Sequence, residues 1–282
     1  MADATYLMGN SSLSLGKIED AATYYSEAKD LFKEGNKEEG QYRSTYGLAN
    51  IQRQQGDYVN ALENFQNVLE FYEREGAIRN VIVILQTIAS LHKNTGNYDQ
   101  AIEYNTKVLS LADEHNNKSG KPYAYSGLGT IYALQEDYKK AIEYFQLGVD
   151  AAVDAGTKPA EIIGLANLAS AYVDDGQLEK GEVAANRALD LSSEIKYAVG
   201  LSSASLIKAK IAKEKGNYNT AIALGEKALS DFRELDELSN ISESAGLLYE
   251  SYKAKGNSRK ALQMYELFKE TCLLYTSPSP RD

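Results

Sequence analysis

The chain of 282 residues carries 30 Lys and Arg against 40 Asp and Glu, a formal net charge of −10. So acidic a chain lacks the positive field that holds phosphate backbones or anionic lipid, which argues against nucleic-acid binding and membrane adhesion. No apolar run approaches the roughly 20 residues that span a bilayer, and no signal peptide is visible, so we expect a cytoplasmic protein. A hydrophobic content of 43% with only 4 prolines predicts a folded, almost entirely helical chain.

A repeat of 40 residues runs along the chain. Each copy carries a short motif of Gly, usually followed by Asn or Asp, with Ala at its sixth position, as in 56–61 and 96–101. Glu136 replaces the glycine in the fourth copy, and Gly181 replaces the alanine in the fifth. No insertion or deletion separates the copies, which indicates a repeat array. The motifs begin at residues 16, 56, 96, 136, 176, 216 and 256.

Each copy predicts two helices. Apolar or small residues recur three and four positions apart before the motif, as in 128–132, and again after it, as in 141–149. Glycine tolerates a left-handed backbone, and a following Asn or Asp can cap the next helix, so the motif predicts the turn between them. Breaks with Gly, Asn or Pro predict the turns between repeats, and Pro122 and Pro159 fall where a first helix would begin.

These residues resemble the tetratricopeptide repeat, whose first helix carries Leu-Gly-x-x-Tyr and whose second carries Ala-x-x-x-Phe or Tyr. Leu128, Gly129 and Tyr132 match the first part, and Ala141 and Phe145 match the second. The resemblance implies an all-α right-handed superhelix, an α-solenoid of about seven helix-turn-helix repeats. At 40 residues the copies are similar to the long form in MalT- and Rap-type bacterial regulators, kinesin light chains and spindle-orientation adaptors. We expect the extra length over the common 34-residue repeat to lie in the second helix and the inter-repeat turn.

The aromatic position of the second helix varies among the copies. It lies four residues after the small residue at which the two helices of a repeat are expected to cross. Its occupants in chain order are Tyr25, Phe65, Asn105, Phe145, Ala185, Gly225 and Tyr265.

The array is expected to occupy residues 1–271. The remaining residues, 272–282, read CLLYTSPSPRD and break every preceding pattern. This string resembles the translation of a transposase adapter used in sequencing libraries, so we interpret it as a non-native, disordered tail that hides the true C-terminus. Cys272, the single cysteine, lies in it and then carries no information about redox chemistry.

The sequence does not predict catalysis. It contains no H-E-x-x-H, no paired cysteines, no G-x-S-x-G and no phosphate-loop motif. His92 stands where the repeat signature has Tyr, which predicts a packing role, and His115 lies beside acidic residues at the end of a predicted helix. We therefore expect no enzymatic activity, no metal and no cofactor.

The remaining candidate is a binding groove. The resemblance implies that first helices line a concave surface, faced by the residues thirteen, ten, six and three positions before each motif. Amides there could pair with a peptide backbone, and Arg or Lys with acidic groups. The alternative is a solvated helix face whose bases are favoured by the helix dipole. The candidate groove residues are Arg43, Tyr46, Asn50, Arg53, Gln86, Ser90, Lys93, Tyr123, Thr130, Lys210 and Lys213. The same rule also places Val173 and Leu206 on this surface.

The sequence favours a non-enzymatic interaction module that binds a protein or peptide segment. The alternative is the truncated sensory region of a bacterial signalling protein, with a histidine kinase, cyclase or transcription-regulator domain beyond residue 271. A stand-alone scaffold is the third interpretation. In all three, this segment binds a protein or peptide and neither nucleic acid nor a membrane, and none fixes the oligomeric state.

Overall fold

The computed structural model describes residues 1–276, with side chains as far as Thr271. This part of the chain forms fourteen helices, in which odd numbers are the first helices of the repeats and even numbers the second. In chain order they are α1 (Ala2–Ser14), α2 (Ile18–Glu34), α3 (Glu38–Gln54), α4 (Tyr58–Arg74), α5 (Ile78–Asn94), α6 (Tyr98–Glu114), α7 (Lys121–Leu134), α8 (Tyr138–Asp154), α9 (Lys158–Asp174), α10 (Leu178–Ile195), α11 (Ala198–Glu214), α12 (Tyr218–Glu234), α13 (Leu238–Ala254) and α14 (Ser258–Thr276).

The helices belong to two compact units. Unit 1 is Met1–Asn117 and contains α1 to α6, the first three repeats; unit 2 begins at Lys118 and contains α7 to α14, the last four. Within each unit every helix packs on the next along the chain. First helices of neighbouring repeats also touch, as α1 touches α3 and α11 touches α9 and α13. The predicted all-α array of about seven helix pairs is confirmed.

A residue with left-handed backbone follows every helix from α1 to α13, at steps of 20 residues from Gly16 to Gly256. In each turn the next N–H donates to the carbonyl five residues before it, as Asp57 N does to Gln52 O at 2.9 Å. This bond is part of the Schellman motif that ends a helix. The motif favours glycine at the left-handed residue, because glycine has no Cβ and adopts this backbone without steric strain. Five non-glycine residues nevertheless adopt it: Asn36, Asn116, Glu136, Lys196 and Asp236.

Outside the segment 115–120 between α6 and α7, the turns between repeats are no longer than the turns within them. In the second repeat both helices have 17 residues, and the turns 55–57 and 75–77 have three each. At these turns the expectation that the extra residues lengthen the inter-repeat turn is wrong, because the turns between repeats match those within them.

The predicted helix starts form in part. The Asp137 carboxylate accepts a hydrogen bond from the N–H of Lys140 at 3.2 Å and caps α8, whereas Asn97 makes no such bond at the start of α6. Pro122 and Pro159 lie in the first turns of α7 and α9, as expected.

Close approach of the helices depends on matched side-chain sizes. The ring of Tyr25 on α2 lies against Gly47 on α3, where a Cβ would stand only 2.8 Å from it. Between α12 and α13 the small residue is on the second helix and the large one on the first helix of the next repeat. Gly225 on α12 leaves room for Leu247 on α13, whose methyl group would lie 3.0 Å from a Cβ at Gly225. A small residue at the aromatic position is thus compensated by a large one on the next repeat.

The small crossing position is buried in every repeat that has alanine there. Ala21, Ala61, Ala101, Ala141 and Ala221 have no exposed surface, and Ala261 is 5% exposed. Alanine keeps the two helices of a repeat in contact without leaving a gap, which confirms the predicted crossing.

The predicted tail lies mostly outside the described residues. Helix α14 runs to Thr276, so the backbone of the first five tail residues is helical. The expectation of a non-native, disordered segment over 277–282 falls on residues that the structure does not describe.

The glycines of the first helices offer a test of this packing. A Cβ at Gly129 would lie 2.6 Å from the Phe145 ring, so we expect Gly129→Ala to lower the melting temperature. Overpacking costs about 1–3 kcal/mol, against a gain of about 1 kcal/mol in helix propensity. A Cβ at Gly246 would lie 3.4 Å from Phe268, an ordinary contact, so Gly246→Ala should raise the melting temperature. Thermal unfolding followed by circular dichroism measures both. A shift of the same sign in both variants would contradict the packing account.

Candidate functional site

Seven of the eleven candidate groove residues lie together on α3 and α5 of unit 1. Arg43 is exposed, and the other six are half-buried. The Tyr46 hydroxyl lies 3.5 Å from the Thr87 hydroxyl and joins the two first helices. The predicted stripe is therefore one surface in unit 1, made by neighbouring first helices.

Asn50 and Arg53 lie on this surface near the C-terminal end of α3. The Asn50 amide donates to the Tyr46 carbonyl at 3.0 Å and accepts from the Arg53 guanidinium at 3.4 Å. The Nε of Arg53 is buried and has no hydrogen-bond partner among the described residues. Asn50 thus orients Arg53, and the guanidinium keeps an unsatisfied donor, which is costly for a buried polar atom.

Lys93 occupies on α5 the position that Arg53 occupies on α3. It is half-buried, and this burial lowers the pKa of its ammonium group. Neither Lys93 nor Arg53 forms an ion pair within the described part of the chain. Two adjacent first helices therefore present cations whose charge is not neutralised.

Towards the N-terminal ends of α3 and α5, the surface contains a cavity of about 270 Å³. The Arg43 guanidinium lies over the Tyr6 ring, 4.5 Å from its centre, at the edge of this space. Two guanidinium groups, one amide, three phenol rings and two aliphatic side chains surround the cavity. The lining residues are Tyr6, Arg43, Tyr46, Tyr72, Arg79, Asn80, Val83 and Ile84.

Only two of the eight lining residues, Arg43 and Tyr46, are among the eleven candidate groove residues. Tyr6 occupies the position ten residues before the first motif, so the same rule could have identified it. Arg79 and Asn80 precede the α5 stripe by about one turn. Tyr72 is on a second helix, and only the packing of α4 brings it to the cavity.

The candidate bases of unit 2 are neutralised by carboxylates of the same unit. Lys210 pairs with Glu243 on α13 and donates to the Ser170 hydroxyl on α9 at 3.3 Å. Lys213 pairs with Glu250 on α13 and with Glu214, the latter at 3.2 Å. These contacts confirm that first helices of successive repeats share a surface. Both candidate bases of this part of the surface are therefore already paired, and their role in ligand binding stays a prediction.

The remaining candidates of unit 2 stand apart from these ion pairs. Tyr123 is 47% exposed, and the Thr130 hydroxyl donates to the Ser126 carbonyl at 2.8 Å. Val173 and Leu206 are buried, at 7% and 3% exposure, so the expectation that they face the groove is wrong. Their apolar side chains pack between helices instead.

The histidines take structural positions. His92 is 6% exposed and stacks on Tyr104 with ring centres 5.4 Å apart, and burial lowers the pKa of its imidazole. This confirms His92 as a packing residue. Among residues 1–276, no group of three or more His, Cys, Asp or Glu side chains could hold a metal ion, and no helix is long and apolar enough to cross a membrane.

Comparison with known families fits this architecture. Two tetratricopeptide repeat models match the chain, one at residues 6–74 and the other at 41–114 and 80–152. The chain belongs to the tetratricopeptide repeat family. Together the matches span more than half of it, and they include every element of the unit 1 surface. No curated protein sequence matches the chain significantly.

Several solved structures share the fold. The apo form of RapI matches 97% of this chain and 98% of its own with a TM-score of 0.79 and 12% identity. Aspartyl phosphate phosphatase F from Bacillus subtilis matches 99% of this chain and 72% of its own, with a TM-score of 0.82 and 12% identity. The Rap conjugation gene regulator of plasmid pLS20, in complex with the Phr* peptide, matches 99% and 76%, with a TM-score of 0.73 and 13% identity. At such low identity the likeness is one of fold.

We predict that replacing two equivalent lysines, Lys93 in the third repeat and Lys213 in the sixth, changes stability in opposite directions. Burial lowers the pKa of Lys93, so Lys93→Met should raise the melting temperature at neutral pH. The gap should close as pH rises toward the ordinary lysine pKa of 10.5, because the buried amine then loses its charge in the native state too.

Lys213→Met is the matched control. Burial opposes the charge of Lys213 as well, but hydrogen bonds to Glu250 and Glu214 hold its pKa above the ordinary value. That stabilisation is present below the ordinary pKa and is lost as pH rises through the raised one. Lys213→Met should therefore lower the melting temperature at neutral pH. Destabilisation by both substitutions would contradict the assignment of Lys93 as an unpaired cation.

Proposed function

We propose that this protein is a non-catalytic module that binds a peptide, or an extended segment of another protein, along the first helices of unit 1. The observation that carries the proposal is the cavity between α1, α3, α4 and α5. Its lining combines phenol rings, an amide and two guanidinium groups on one face. Such a mixture offers apolar contact together with a few directional polar groups, as binding sites for peptides do.

The size of the site favours a peptide over a cofactor. A volume of about 270 Å³ lies below the roughly 300–1,000 Å³ of pockets that enclose a small molecule, and it suits one or two side chains of a longer ligand. Arg43 and Arg53 stand ten residues apart on α3, about 15 Å along the helix. An extended segment of about five residues covers that distance.

The similar structures support the same function. The pLS20 regulator was solved with the Phr* peptide, and another Rap protein with Competence and Sporulation Factor. The fold therefore accommodates such ligands in those proteins. The proposal applies equally to a stand-alone adaptor and to the sensory part of a longer regulator.

A peptide-library experiment tests the proposal. The purified chain is titrated against fluorescent peptides of about six random residues, slightly longer than the span of α3 between its two arginines. We expect a subset of peptides to bind, and Arg43→Gln to weaken them about tenfold or more. The guanidinium would otherwise contribute a charge-assisted contact of about 1.5–3 kcal/mol.

Lys253→Gln is the control for Arg43→Gln. The Lys253 ammonium lies 5.6 Å from the centre of the Tyr249 ring in unit 2. Like Arg43→Gln, this substitution therefore removes a cation stacked on a tyrosine of a first helix. Binding should be unchanged in this variant. The absence of any binding peptide, or equal losses in the two variants, would contradict the proposed function.

A further inference from the structure

The repeats of this chain provide an internal comparison for the unpaired bases of unit 1. In the sixth repeat Lys213 stands three residues before the motif glycine and pairs with Glu250, which stands six residues before the glycine of the seventh repeat. The same two positions in the second and third repeats are Arg53 and Ser90, also separated by 37 residues. Unit 1 thus has the base, Arg53, but at the position that corresponds to Glu250 it has the small hydroxyl side chain of Ser90.

A second cation adjoins the same place. Lys93 lies three residues after Ser90 on α5, so the two share one side of the helix. In the seventh repeat Lys253 stands in the same relation to Glu250. Lys253 is not paired with Glu250 among the described residues, so a carboxylate beside Ser90 would pair with Arg53 and have the charge of Lys93 nearby on its own helix.

The burial of these bases indicates that a partner is missing. The Nε of Arg53 is buried without a hydrogen bond, and Lys93 is half-buried without an ion pair. Removing cations from water without an opposite charge costs free energy. The favourable helix dipole explains bases in the last turn of α3 and α5, but it acts equally on bases that remain in solvent. It does not explain why these two are buried.

We propose that Arg53, Ser90 and Lys93 bind a carboxylate of the peptide ligand, in the place that corresponds to the Glu250 carboxylate beside Lys213. This inference rests on the proposed function and specifies the ligand as an acidic segment. The Arg53 guanidinium donates to the carboxylate, the Lys93 ammonium adds a second positive charge, and Asn50 holds the guanidinium in position. In unit 2 the site is already filled by the chain's own glutamate.

The test supplies unit 1 with the carboxylate that unit 2 already has. In Ser90→Glu the new side chain should pair with Arg53 as Glu250 pairs with Lys213, and should compete with an acidic ligand. Ser90→Gln is the matched control, since it has nearly the same size and no charge. The probes are fluorescent peptides of about six residues with one position fixed as Glu, Gln or Lys and the others random.

We expect the Glu-fixed peptides to bind about tenfold or more tightly than the Gln-fixed ones, as one charge-assisted contact provides. Ser90→Glu should abolish this preference without lowering the melting temperature, and Ser90→Gln should retain it. Equal binding of Glu- and Gln-fixed peptides, or loss of preference in both variants alike, would overturn the carboxylate site and leave the peptide groove standing. Failure of all three peptide sets to bind would overturn the groove as well.

Discussion

Within each unit, the packing of a second helix against the first helix of the following repeat is the constraint on which the structure depends. One helix pair cannot bury its apolar face alone, and burial becomes complete only when the next pair adds its own residues. The contact is close enough that side-chain sizes must be matched, with Tyr25 over Gly47 at one interface and Gly225 under Leu247 at another. This matching allows a strict period of 20 residues per helix and turn. It also aligns equivalent positions of successive first helices on one face.

Because equivalent positions share one face, a different residue at such a position changes the charge of that face. Both units place a base three residues before the motif, Arg53 and Lys93 in unit 1 and Lys213 in unit 2, but the partners differ. In unit 2, Lys210 and Lys213 are neutralised by Glu243 and Glu250. There burial also raises the pKa of Asp174, an effect that the nearby Glu243 strengthens and Lys210 opposes. Arg53 and Lys93 of unit 1 form no ion pair among the described residues. The same repeat pattern therefore gives paired bases at Lys210 and Lys213 in unit 2 and unpaired ones at Arg53 and Lys93 in unit 1.

Most of the fold could be predicted from the sequence, because the signals are local and repeated. The motif glycines, the buried alanines and the apolar spacing each occur in several copies, so one atypical copy does not obscure the pattern. The turns at Lys196 and Asp236 could not be predicted from composition, since neither residue type favours a left-handed backbone as glycine does. There the fixed length of the flanking helices determines the backbone.

The candidate site was less predictable. Counting from the motif predicted a stripe whose members in unit 1 lie on α3 and α5, because helical periodicity determines which residues share a face. It could not show that Lys210 and Lys213 are paired, since those partners lie 33 and 37 residues away. Nor could it find Tyr72, which reaches the cavity from a second helix. Charge state and cavity shape depend on contacts between repeats, and a single-helix pattern does not contain them.

Amide hydrogen exchange measured with and without a bound peptide tests the central claim most directly. The claim is that ligand binds on the first helices of unit 1. The account predicts slower exchange in α1, α3 and α5 on addition of the peptide, with α9, α11 and α13 unchanged. Protection confined to the second helices, or centred on the paired bases of unit 2, would contradict it.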